Sequence, residues 1–114
     1  MSLNWDAVIA FGLTLPDVEF SSHYGAPALK TNGRAFLSPS REAGSFCLHI
    51  GKDMVEMLME TDPDTYWQTP HYVGWAGLLV RYDTPDPERV LATIRHARDW
   101  AASQPKPRPR TRKA

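Results

Sequence analysis

At 114 residues the chain suits one domain with one modest core. Its make-up, 42% hydrophobic and 23% charged, is that of an ordinary globular protein and excludes a fibrous or wholly disordered chain. The single cysteine, Cys47 in the apolar run Ser45-Phe46-Cys47-Leu48, excludes an internal disulfide framework. The longest apolar run, Ala7 to Leu13, is far short of the ~20 residues of a membrane span.

No basic stretch precedes an apolar one at the N-terminus, so no signal peptide is expected and a cytoplasmic, non-membrane protein is. Formal net charge is zero but unevenly spread. Eight of the 13 cations and all 13 acids precede Lys106, which makes the body net −5. The last nine residues hold Lys106, Arg108, Arg110, Arg112 and Lys113, net +5.

Asn4 is placed to cap a helix running to about Leu13, with Asp6 in the first turn and an apolar face of Trp5, Val8, Ile9 and Gly12-Leu13. Pro16 ends it. Strands are predicted at Val18–Tyr24, Ala28–Thr31, Arg34–Leu37 and Ser45–Ile50. Gly25-Ala26-Pro27 breaks the first run, and Asn32-Gly33 turns a hairpin because both turn positions favour φ > 0. The alternation in Ser45–Ile50 predicts a half-buried strand. Asp53 and Glu56 have capping-box spacing ahead of a short helix to about Thr61. Tyr66-Trp67 is a very short strand and Trp75–Tyr82 a candidate central one. Asp86-Pro87 starts a helix to about Ser103, with Val90, Leu91, Ile94, Ala97 and Ala101 buried and Arg95, Arg98 and Asp99 facing water. No βαβ alternation appears. The expected class is α+β: two layers, a mainly antiparallel bent sheet with helices on one face, in the order α-β-β-β-β-α-β(β)-α. Residues 1–104 form the domain, and 105–114 a disordered basic Pro/Arg tail.

In order and spacing, several segments resemble the MmcQ/YjbR family. They are Trp5, Leu15-Pro16-Asp17-Val18-Glu19, His23-Tyr24-Gly25-Ala26-Pro27-Ala28-Leu29-Lys30, Gly33-Arg34-Ala35-Phe36, Thr69-Pro70-His71-Tyr72-Val73-Gly74-Trp75 and Leu78-Leu79-Val80-Arg81-Tyr82-Asp83. The resemblance spans about Asn4 to Ala102. It implies a CyaY-like two-layer fold and the label "DNA-binding", with no catalytic residues to carry over.

Two binding readings follow, and neither is an enzyme. In the first, the protein binds DNA or RNA without sequence specificity. Phosphate contacts come from Lys106, Arg108, Arg110, Arg112 and Lys113, and from a hairpin wing carrying Lys30 and Arg34 with Arg41 in the next loop. The alternative to the first contact is a solubilising tail, and to the second, edge protection. In the second reading, His23, Tyr24, Lys30, His71 and Trp75 bind a small molecule or peptide on the sheet face, within an aromatic cluster of Tyr66, Trp67, His71, Tyr72 and Trp75 that otherwise serves packing. HExxH, CxxC, a G-x-S-x-G elbow and a glycine-rich phosphate loop are absent, so no metal or cofactor is expected. A monomer or weak dimer is expected.

Overall fold

The computed structural model describes residues 3–23, 26–70 and 73–105, with His23 described through its backbone alone. Helix α1 spans Trp5–Leu13 and begins where the sequence places it: the Asn4 side chain accepts the Ala7 amide at 2.8 Å. The strands are β1 (Glu19–His23), β2 (Ala26–Thr31), β3 (Arg34–Pro39), β4 (Ser45–His49), β5 (Tyr66–Trp67) and β6 (Gly77–Arg81). Helix α2 covers Lys52–Thr61 and α3 covers Pro87–Ser103. Asp86 caps α3 by accepting the Arg89 amide at 3.1 Å, and Pro87 occupies the first turn.

The strands form one six-stranded antiparallel sheet in the order β1-β2-β3-β4-β6-β5, with the helices on one side. The first four make a meander. The chain then passes through α2, lays β5 at the far edge, and returns β6 between β5 and β4. The expected α+β two-layer class and element order are those observed.

Leu29, Phe36, Leu37, Phe46, Leu48, Leu78, Val80 and Tyr66 build the helix-side core with Val90, Ile94, Ala97 and Ala101 of α3. The β2–β3 register shifts at Leu29/Lys30, so that Leu29 pairs with Leu37 while Lys30 pairs with Ala35. Phe36 is the extra residue of this bulge, and both it and the adjacent Leu37 join the core. Gly12 of α1 sits against the Leu29 side chain, at a spacing that leaves no room for a Cβ. The Tyr66 hydroxyl lies 2.9 Å from Thr93 Oγ1, so the largest buried side chain keeps its polar end satisfied.

Several local expectations change. β2 begins at Ala26, so Ala26 and Pro27 pair with His23 and Ser22 instead of lying in a break, and Leu91 is half-buried. Helix α2 has no capping box: its N-cap is Gly51 at φ 93°, and Asp53 falls in the first turn. A Cβ at Gly51 would stand 2.9 Å from Trp100 Nε1, so the packing of α3 sets this corner. β4 is not half-buried, since Ser45 and Cys47 are as enclosed as Phe46 and Leu48, the strand lying between β3 and β6. β6 starts at Gly77, leaving Trp75 outside it and 49% exposed. Arg98 does not simply face water: its Nε donates to the Pro16 carbonyl at 2.9 Å and its guanidinium approaches Asp17 at 3.7 Å. Asp17, at φ 60°, accepts the Thr31 hydroxyl at its carbonyl, so this corner joins α1, β1, β2 and α3.

Candidate functional site

Asn32 and Gly33 take φ 58° and 73°, the left-handed pair that the hairpin turn requires. The tip is not presented to solvent as a bare wing. The Asn32 side-chain amide donates to the carbonyls of Ala101 (3.3 Å) and Gln104 (2.7 Å), and Arg34 Nη2 donates to the Pro105 carbonyl at 3.0 Å. Arg34 also lies 5.9 Å from the Trp100 ring centroid, and its buried Nε has no hydrogen-bond partner among the described residues. Helix α3 has no basic residue in its last turn. The hairpin therefore supplies from a distant part of the chain both the donors its terminal carbonyls need and the cation its negative end favours.

The three cations assigned to a wing are not brought together. Lys30 is half-buried on the helix-free face, with Glu19 as its cross-strand neighbour. Arg34 points to the helix side. Arg41 is exposed in the β3–β4 loop, beyond the end of β3 opposite to Arg34, about 17 Å of strand away from it. Lys106, Arg108, Arg110, Arg112 and Lys113 lie outside the described residues, as do Tyr24 and His71. His23 closes β1 in its backbone. Of the aromatic cluster, Tyr66 is core, Trp67 is half-buried and Trp75 is half-exposed.

The helix-free face has its own pattern. Ser21 pairs with Ala28 at one edge, and Ser38, Cys47, Leu79 and Trp67 are successive cross-strand neighbours from β3 to β5. Ala28, Ala35, Cys47 and Leu79 are buried yet lie outside the helix-side core cluster. At the margins the side chains become polar and aromatic. The Arg81 guanidinium lies over the Trp67 ring at 4.2 Å from its centroid. The His49 ring covers Gly77, where a Cβ would collide with it and approach the Leu48 carbonyl at 3.0 Å, and His49 Nδ1 is 3.3 Å from the Ala35 carbonyl oxygen. Gln68 Nε2 donates to the Gly77 carbonyl at 2.8 Å, tying the residue that follows β5 to the start of β6. The chain matches no protein-family model, no curated protein and no solved structure.

Chemically, this face offers a stacked cation–aromatic platform and a lysine. Such groups hold planar or anionic partners. Among the described residues, no three His, Cys, Asp or Glu side chains gather to hold a metal ion, and no helix is long and apolar enough to cross a membrane. Sequence reading missed the His49–Gly77 seat and the Arg81–Trp67 pair. Gly77, a lone glycine at the head of an apolar strand, was the available signal, since such a glycine marks a close approach.

Proposed function

We propose that this protein is an MmcQ/YjbR-type domain that binds nucleic acid without sequence specificity, through the basic arm that leaves α3. Five cations within nine residues carry this reading, because the rest of the chain is net −5 and repels phosphate. Asn32 and Arg34 support it by holding Ala101, Gln104 and Pro105, so the arm departs from a fixed point. The hairpin then serves as the arm's mount, and Lys30 is the cation it can still offer.

The test is binding to mixed-sequence duplex and single strands over a salt series. Five phosphate contacts give a slope of log K against log salt of about −4.5 on duplex. Removing residues 106–114 should abolish binding. Absence of binding at low salt, or an unchanged slope after the deletion, overturns the reading.

A second reading is a small-molecule or peptide module on the helix-free face. The Arg81–Trp67 platform at 4.2 Å favours it. A thermal-shift screen with nucleotides and aromatic carboxylates tests this module. A stabilisation that disappears in Trp67→Ala and Arg81→Ala supports it, and no shift with either ligand class rules it out.

A further inference from the structure

Strand β1 ends the sheet order, so among the described residues its outer edge has no strand beside it. The opposite edge, β5, is only two residues long. Among the usual guards against edge pairing, β1 lacks lysine, proline and a bulge, and the register shift lies one pair further in, between β2 and β3. Its helix-side residue Phe20 is 56% exposed although its cross-strand partner Leu29 is fully buried. Leu13, 45% exposed, adjoins Gly12, which packs on the same Leu29. The edge thus joins an unpaired backbone to an apolar border.

The sequence of β1 is self-complementary when run against itself. A two-fold axis perpendicular to a sheet keeps each residue on its own face, and directly opposed residues must share a face. This restricts the pairing to registers centred on a residue. Centring on Ser21 pairs the whole strand: Glu19 opposite His23 of the second copy, Phe20 opposite Ser22, and Ser21 opposite itself. Centring on Phe20 pairs Glu19 with Ser21 and Phe20 with itself, and centring on Ser22 pairs Ser21 with His23 and Ser22 with itself, so each neighbouring register joins three residues of the strand rather than five. The Ser21 register alone sets the strand's acid against its one basic residue, at both ends. It also brings the two Phe20 side chains to a diagonal separation of about 7–8 Å, within reach of aromatic rings, on the side where Leu13 lies.

We propose that β1 pairs with β1 of a second copy about a two-fold axis through Ser21, joining two six-stranded sheets edge to edge. Nucleic-acid binding is not required for this, and it uses none of the arm's residues.

Sedimentation velocity of the full chain from about 10 µM to about 1 mM spans the dissociation constants expected of so small a contact. The wild type should pass from monomer to dimer in that range. Ser21→Glu and Ser21→Lys each place like charges face to face at the axis, so each alone should stay monomeric. An equimolar mixture of the two should regain the dimer. Wild type that remains monomeric throughout overturns the proposal, as does dimerisation of either variant alone. Failure of the mixture to recover overturns it too, with circular dichroism showing both variants folded.

Discussion

The two faces of the sheet are made of different residues. On the helix side the strands present Leu29, Phe36, Leu37, Phe46, Leu48, Leu78, Val80 and Tyr66, large groups that interlock with α3. On the other side the buried centre holds Ala28, Ala35, Cys47 and Leu79, and reactive or charged groups stand at its margins. The first face stores most of the folding free energy, because stabilisation scales with apolar area removed from water. The second is closed mainly by small side chains, which leaves Lys30, His49, Trp67 and Arg81 at its periphery.

Neighbouring residues of β4 expose this difference most directly. Phe46→Ala should cost about 3–5 kcal/mol, while Cys47→Ala, one residue along on the other face, should cost about 1 kcal/mol. Urea unfolding measures both, and equal losses would erase the distinction between the faces. Next in size is Gly77→Ala, at about 1–3 kcal/mol, because the new methyl meets the His49 ring. His49→Ala in the same chain should restore part of that loss. A double-mutant cycle showing no coupling would place the obstruction at the Leu48 carbonyl instead.

On the helix side, Asn32→Ala removes two bonds to the end of α3 and puts a non-glycine Cβ without a compensating amide at φ 58°. A loss of about 1–2 kcal/mol is expected, with faster amide exchange confined to the last turn of α3. Asn32→Gly should lose less, since the turn geometry survives.

The smallest effect concerns pH. Burial, and next the charge of Cys47, pushes the Tyr82 hydroxyl up to about 12. Burial also raises Tyr66, against the lowering effects of its Thr93 bond and of Arg89. Both phenols ionise near 10.0 in the unfolded chain, so above that pH the unfolded state releases protons that the folded state retains. Stability is fully present below pH 10 and should fall as pH rises towards 12. The melting temperature in alkaline buffers follows this, and Tyr82→Phe should flatten the decline.

Much of this architecture was legible in the sequence wherever a signal is local. Asn4, Asp86-Pro87 and Asn32-Gly33 act within a few residues of themselves, and each marks the helix start or turn it was read to mark. Of the expected stripe, Val90, Ile94, Ala97 and Ala101 are buried and Leu91 is half-buried at its margin, because periodicity sets the direction of the buried side but not its width. The −5 and +5 division is a property of composition and needs no structure.

What the folded structure decided depends on residues far apart in the chain. Asn32 meets Ala101 across 69 positions, Arg34 meets Pro105 across 71 and Arg98 meets Pro16 across 82. No spacing rule connects them. A hairpin that reads as a wing became the cap of a helix because the register of β2 and β3 carries its tip to the end of α3. Likewise, the insertion of β6 between β4 and β5 determined that Cys47 and Leu79 are enclosed and that Arg81 finds Trp67. The alternation of side chains along a strand is written locally, but the neighbours across the sheet are chosen only when the whole chain packs.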